Sequence, residues 1–331
     1  MPKRITITGA SGHLGTALLE PLIKKGYSVQ AQYRSSVPPV THPNLNLIQG
    51  EITDLNFLQK LFKDCDAVIH CAGMISLGSS DKEKVIDTNI TGTEKVVEAI
   101  LTYKNTRLIH ISSTNAIAEL PQDQIHNESS PLKTNESNIY GYSKAKSEGL
   151  VLDAIKNKEL NAIIIRPSAL VGPPDYRPSL LGQSILDLWK AKIPALPAGG
   201  YDYVDLRDVV DSIIRSIELN KPGEIYNLTG KYYSMKDMSK VLSEASERRI
   251  SPWIIPIPIM VCLLPLARFF SLFMQRKSAF TYESLMTLKY GHKNMSHEKA
   301  AKDLAHSPRI LKETLGDLID WFEKEKDRND S

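Results

Sequence analysis

Tyr140 and Lys144 stand four residues apart at the start of an amphipathic stretch, and Ser112 and Ser113 close an earlier apolar run. On a helix that spacing puts the two side chains one turn apart on the same face. A lysine ammonium beside a phenol favours the phenolate, so Tyr140 is expected to have a lowered pKa and to exchange a proton with a substrate oxygen near neutral pH. A serine hydroxyl would orient the same oxygen. Taken alone, Tyr-x-x-x-Lys occurs on many solvated helix faces, and its weight depends on its surroundings.

A second constellation, Thr8-Gly9-Ala10-Ser11-Gly12-His13-Leu14-Gly15, follows the first β-branched run and opens the first helical one. Glycines at such a junction permit a tight turn and let backbone amides approach a pyrophosphate, whose charge the helix N-terminus stabilises. The spacing is G-x-x-G-x-x-G, one residue different from the commoner dinucleotide fingerprint. An NAD site usually has a carboxylate at the end of the second strand to hold the ribose hydroxyls, and the segment Val29 to Ser36 has none. Arg34 and Ser35 instead suit a 2′-phosphate through charge-assisted hydrogen bonds. NADP(H) is the expected cofactor, with NAD the alternative.

These groups need a frame. The first two-thirds of the chain alternate β-branched runs with amphipathic stretches, which implies an α/β fold with a Rossmann-type doubly wound parallel sheet. Strands are expected at Arg4 to Thr8, Ser28 to Tyr33, Ala67 to His70, Arg107 to Ser112 and Ala162 to Arg166, each apolar on both faces as buried parallel strands are. Apolar residues at three- and four-residue spacing predict helices over Leu14 to Lys25, Asn56 to Phe62, Lys82 to Tyr103 and Tyr140 to Lys156. A dinucleotide-binding domain is therefore expected over residues 1–167. Past Pro167, prolines at 173, 174, 178, 194 and 197 punctuate shorter elements, and residues 168–331 are expected to form mainly a smaller, discontinuous substrate-binding lobe. Ile225 to Leu228, as a strand, and Asp205 to Leu219, as a helix, look regular enough to return to the main sheet. Only Glu323 to Ser331 looks like a frayed, charged end.

Composition narrows the partners. With 42% hydrophobic and 24% charged residues among 331, the chain has the balance of a globular protein rather than a disordered one. A net charge of +3 provides no field of the strength that nucleic acid binding requires, so a small molecule is the expected ligand. Cys65, Cys71 and Cys262 are an odd count without metal-ligand spacing, which points to reduced cytoplasmic thiols and to neither a disulfide framework nor a metal site. Met1 leads directly into a strand pattern without a signal-peptide pattern, which also favours the cytoplasm. From Trp253 to Met274 the only charge is Arg268, over about the length of a bilayer span. Pro256, Pro258 and Pro265 would break a lone helix in lipid, so the segment reads as a buried lobe element or pocket wall, with membrane-surface association left open.

Taken together, the motifs resemble those of the extended short-chain dehydrogenase/reductases, the NAD-dependent epimerase/dehydratase superfamily, across nearly the whole chain. Besides the glycine motif, Asp54-Leu55 resembles the family's adenine-side acidic turn, and His70-Cys71-Ala72-Gly73 its segment after the third strand. Asn89-Ile90-Thr91-Gly92-Thr93 is similar to its central-helix motif, in which the asparagine supports the proton path. Glu128-Ser129-Ser130-Pro131 and Ile165-Arg166-Pro167 fit as well. The resemblance implies that Tyr140 is the acid/base, that Lys144 binds the nicotinamide ribose and tunes the tyrosine, and that Ser113 polarises the substrate oxygen, with Ser112 as the fallback. It also implies cofactor contacts from Gly9, Ser11, Gly12, His13, Leu14, Gly15, Cys71, Ala72, Gly73, Pro167 and Ser168, and a homodimer formed through two long helices.

Val29 to Ser35 and Gly172 to Ser179 look most like the dihydroflavonol-reductase-like branch, which reduces ketones and aldehydes of varied structure. One alternative is a nucleotide-sugar epimerase or dehydratase that retains NAD. Against it stand Thr114-Asn115, where such dehydratases carry Asp-Glu. The other is a non-catalytic NADP-binding regulatory or assembly module, against which stands the intact set of Ser113, Tyr140 and Lys144.

Overall fold

Aliphatic runs that are buried on both sides set the central sheet. In the computed structural model, which describes residues 3–75, 81–121, 123–264 and 281–329, its strands begin with β1 (Arg4–Thr8), β2 (Ser28–Tyr33), β3 (Leu45–Gln49), β4 (Ala67–His70), β5 (Arg107–Ile111) and β6 (Ala162–Pro167). Ile5, Ile7, Val29, Val68, Ile69, Leu108, Ile109 and Ile163 to Ile165 are all fully buried. β3 was not expected from the sequence. It is an edge strand whose Asn46 and Gln49 reach solvent, so it lacks the all-apolar signature of its neighbours. Its presence makes Ala67–His70 the fourth strand rather than the third.

The later strands are β7 (Ala169–Val171), β8 (Ala195–Pro197), β9 (Gly200–Asp205), β10 (Ile225–Leu228), β11 (Lys231–Ser234) and β12 (Trp253–Ile255). β10 pairs in parallel with β6, which completes a seven-stranded parallel sheet of order β10-β6-β5-β4-β1-β2-β3. Strand order reverses between β1 and β4, and such a switch point opens a crevice at the carboxyl ends of those two strands.

The helices through the middle of the chain are α1 (His13–Lys24), α2 (Leu55–Phe62), α3 (Lys82–Ile86), α4 (Gly92–Ile100), α5 (Ile139–Lys158), α6 (Leu180–Trp189), α7 (Leu206–Glu218) and α8 (Met235–Ala245). On one face of the sheet, Leu18, Leu19 and Leu22 of α1 share a core with Val209 and Ile213 of α7. Leu58 and Phe62 of α2, Val96 and Ile100 of α4, and Val151 of α5 form the core on the other face. A third core joins Leu188 of α6 and Leu242 of α8 to Leu315 and Leu318 of the last helix, Leu311–Asn329. This last core lies with two small sheets, β11-β9-β7 and β12-β8.

Two expectations change. Residues 323–329 continue the last helix instead of fraying. In the apolar segment that starts at Trp253, Ile257 is buried, but Trp253 is 81% exposed, Ile259 52% and Leu263 43%, so its described part is no buried element. Residues 265–280 lie outside the described residues. Among the described residues no helix is long and apolar enough to cross a membrane.

Candidate active site

The crevice is built first from glycines. Gly9 has φ +71°, a conformation that L side chains rarely adopt, and a Cβ there would sit 2.5 Å from Ala72 Cα. A Cβ on Gly15 would collide with Gly9 O, so α1 can approach the turn this closely only without one. Gly12 differs: its nearest neighbour would be Gly9 O at 3.3 Å, leaving open space outside the turn. Gly12 caps α1 without a side-chain hydrogen bond, whereas Asp54, Asn138, Ser179, Asp205 and Ser234 cap α2, α5, α6, α7 and α8 through their side chains. The amides of the first turn of α1 thus keep capacity for an anion, and the cradle fits a dinucleotide pyrophosphate.

Ser11 is partly exposed on this turn, while the Leu14 side chain packs into the core, so Leu14 can offer a ligand only its backbone. His13 Nε2 lies 3.1 Å from Gly172 O and 3.7 Å from Asp175 Oδ1, tying the turn to the 172–179 segment. Sequence reasoning missed Gln32, a buried residue of β2. Its Oε1 accepts from Gly9 N at 2.9 Å and its Nε2 donates to Gly50 O at 2.6 Å, which clamps the glycine turn to the end of β3. An uncharged polar residue in a strand gives no sequence signal for such a role.

Arg34 and Ser35 follow β2 and are exposed. The Arg34 carbonyl accepts from Gln49 Nε2 at 2.9 Å, which anchors the backbone and leaves the guanidinium at the surface. Asp54 Oδ1 accepts from Phe57 N at 3.1 Å as the cap of α2, and Leu55 is the first residue of that helix. Beyond β4, Cys71 N donates to Thr8 O at 3.1 Å, holding Cys71, Ala72 and Gly73 against the glycine turn. Burial pushes the Cys71 thiol up to about 12, so it stays protonated. Pro167 ends β6, and Ser168 N donates to Leu228 O at 3.1 Å.

The serines, tyrosine and lysine singled out in the sequence meet where β5 ends. Ser112 Oγ donates to Glu148 Oε2 at 2.6 Å and is consumed in the core. Ser113 instead lies near enough to the Tyr140 phenol to favour its ionised form, and its Oγ accepts from Asn115 N at 3.1 Å, so Ser113 is the serine that faces the tyrosine. Asn138 caps α5 by accepting from Gly141 N at 2.9 Å. A Cβ on Gly141 would lie 2.5 Å from Asn115 O, so glycine lets the start of α5 close on the turn that carries Ser113.

Lys144, only 6% exposed, donates from Nζ to Ile111 O at 2.8 Å. A Cβ on Gly73 would come within 3.1 Å of that Nζ, so glycine keeps the space beside the ammonium clear. Burial pulls Lys144 down to about 8. The expected lowering of Tyr140 is not found. Burial raises the phenol, opposed only by the neighbouring Ser113 hydroxyl, because the Lys144 ammonium is turned to the Ile111 carbonyl.

Asn89 sits in a π-helical turn, Asp87–Thr91, that interrupts the helix expected over Lys82 to Tyr103. The wider turn brings Asn89 inward: Oδ1 accepts from Met74 N at 2.7 Å, and Nδ2 donates to Met74 O at 3.0 Å and Ser143 Oγ at 2.8 Å. Thr93 Oγ1 donates to Asn89 O at 2.7 Å, tying the π turn to the start of α4. The structure thus gathers Gly9, Ala72, Gly73, Asn89, Ser113, Tyr140 and Lys144 around the switch point.

Residues 5–229 match the sequence model of the NAD-dependent epimerase/dehydratase family. The chain belongs to this family. It is 28% identical over 323 residues to sterol demethylase protein B of Methylococcus capsulatus, covering 96% of this chain and 97% of that protein. It is 25% identical over 335 residues to a putative dihydroflavonol 4-reductase of Synechocystis sp., covering 96% and 94% of the two chains. The crystal structure of gox2253 superposes with a TM-score of 0.81 at 26% identity, covering 97% of this chain and 98% of the other. As a family member, the protein is an NAD(P)-dependent enzyme, an oxidoreductase or an epimerase of the extended short-chain dehydrogenase/reductase type.

In this epimerase/dehydratase-family chain the buried lysine has a measurable signature. Between pH of about 8 and its ordinary value near 10.5, folded Lys144 has released a proton that the unfolded chain still holds. Unfolding then takes up a proton, so this group makes stability rise with pH across that window. Urea midpoints measured from pH 7 to 10 should therefore climb more steeply, or fall less, in the parent than in Lys144→Met. Parallel curves would place the lysine in water.

Proposed function

We propose that this family member reduces a ketone or aldehyde carbonyl, or oxidises the corresponding alcohol, with NADP(H). The observation that carries the proposal is that Ser113 faces the Tyr140 phenol, with Lys144 buried one turn along the same helix and uncharged Thr114 and Asn115 next in the chain. NADP(H), when bound, supplies or accepts the hydride. Ser113 Oγ and Tyr140 Oη hold the substrate oxygen between them. The raised pKa keeps the phenol protonated at neutral pH, so Tyr140 delivers its proton as charge develops on that oxygen. Lys144, titrating near physiological pH, restores the proton, and Asn89 fixes the backbone at Met74 and the hydroxyl of Ser143 beside it. The small sheets and the third core supply most of the substrate lobe.

Relatives named for a sterol demethylase and a dihydroflavonol 4-reductase match over 96% of this chain, whereas relatives named dTDP-glucose 4,6-dehydratase match over 63% and 69% of it, which favours an oxidoreductase. Thr114 and Asn115 offer no carboxylate for the proton shuttling of a sugar dehydratase.

Arg34 is proposed to hold the 2′-phosphate, and Arg177, whose Nη2 donates to Val37 O at 3.4 Å, braces the loop that follows it. Arg34→Asp removes one charge-assisted contact and adds repulsion, so NADPH binding should weaken by roughly 10- to 100-fold while NADH binding holds or improves. Titrating both cofactors against the two proteins reads this directly, and an unchanged preference would make Arg34 a bystander. Identifying any nucleotide that accompanies the purified protein separates the readings. Firmly retained NAD⁺ supports the epimerase, and an empty site that takes up NADPH supports the reductase.

A further inference from the structure

Away from the crevice, α6 and the loop into β12 border a cleft of about 690 Å³ whose lining includes Trp189, Lys190, Arg248, Arg249 and Trp253 and no acidic residue. Arg248 stacks on Trp189 with its guanidinium carbon 4.4 Å from the ring centroid, and the indole N–H of Trp189, a residue only 9% exposed, has no partner among the described residues. No acidic side chain pairs with Lys190, Arg248 or Arg249 among the described residues; the nearby Asp187 is paired with Lys192 at 3.5 Å. Glu247 is the exposed acid in the same turn.

Beside this cationic rim the chain turns apolar. Trp253 is 81% exposed, and residues 257–264 form a helix whose exposed positions are Pro258, Ile259, Cys262 and Leu263, while Ile257 is buried. Those four positions fall on one helix face, so the solvent-facing side is apolar. Trp253, Ile259 and Leu263 thus expose large apolar side chains within eleven residues of chain, a concentration that soluble surfaces usually reserve for a partner.

We propose that this face docks on the surface of an anionic lipid bilayer, with Trp253, Ile259 and Leu263 entering the interface and Lys190, Arg248 and Arg249 meeting the phosphate headgroups. Charge complementarity selects this occupant. Cations without acidic partners that line one cleft with an exposed tryptophan, followed a few residues on by a helix whose exposed positions are apolar, match the two attractions that hold interfacial helices on anionic membranes. A purely apolar partner would leave the three cations without counter-charge. The proposal is independent of the reaction assigned above, since none of these residues belongs to the crevice.

The test is sedimentation of the full chain with phosphatidylcholine vesicles prepared with and without phosphatidylglycerol. The chain should bind only the anionic vesicles and be released by added salt. Reversing both arginines, Arg248→Glu with Arg249→Glu, should weaken binding at least about tenfold, given the size of the attraction each cation supplies near such a surface. Leu263→Ser should weaken it as well. Trp253→Phe should retain binding but abolish a blue shift in tryptophan emission on vesicle addition. Circular dichroism melts confirm that these surface variants fold. Failure of the parent chain to sediment with anionic vesicles overturns the proposal, as does binding that ignores both the charge reversal and Leu263→Ser. A lipid-free dimer that either of those substitutions dissociates, together with no vesicle binding, would show a self-association face instead.

Discussion

Tyr140→Phe should leave NADPH binding nearly unchanged and lower kcat by at least about two orders of magnitude for whichever carbonyl is turned over. The phenyl ring preserves packing at the start of α5, and the lost hydroxyl acts only where charge develops on the substrate oxygen. The loss is thus confined to the transition state. Stopped-flow cofactor binding and steady-state rates on the same preparation separate the two effects. Ser113→Ala should lower kcat with little change in cofactor affinity, because Ser113 faces the tyrosine and makes no hydrogen bond to the glycine turn among the described residues. Lys144→Met should weaken both, since the ammonium stands beside Gly73 as well as on the proton route. Near-normal turnover in Tyr140→Phe would remove the tyrosine from the mechanism and return attention to Ser113 or Tyr142.

Glu148→Gln is expected to be the most damaging conservative change to stability. Glu148 is fully buried on α5 and receives Arg166 from β6 through Nη2 at 2.5 Å and Nε at 3.1 Å, with Ser112 Oγ at 2.6 Å as a third donor. Arg166 is 1% exposed, and its remaining contact is Nη1 to Glu128 O at 3.3 Å. Removing the carboxylate charge leaves a guanidinium in the core without a counter-ion, which in comparable buried pairs costs about 3–5 kcal/mol. Urea unfolding should show a midpoint lowered to match. The double variant Glu148→Leu with Arg166→Met should recover a large part of that loss, because the buried charge is gone with its partner. A Glu148→Gln protein as stable as the parent would mean that water reaches the pair.

The local signals in the sequence were sufficient for the central strands and for most of the residues that the structure gathers at the switch point. Central strands declare themselves because burial on both faces demands aliphatic residues at every position, as in Ile163 to Ile165. The glycine turn was legible because φ +71° at Gly9 and the close approach at Gly15 exclude other residues, and Tyr140 and Lys144 because one helical turn fixes their relation whatever the fold. Only tertiary structure decided the rest. β3 is half polar because it lies at an edge, and Gln32 looks like any strand residue until its partners Gly9 and Gly50 arrive from elsewhere in the chain. Which serine faces Tyr140 turned on Glu148 claiming Ser112, a contact across 36 residues that spacing does not encode. The direction of the pKa shift at Tyr140 reversed the local expectation for the same reason. Proximity along a helix is a local property, whereas desolvation and the pull of the Ile111 carbonyl exist only once β5, α5 and the turn after β4 have closed around them.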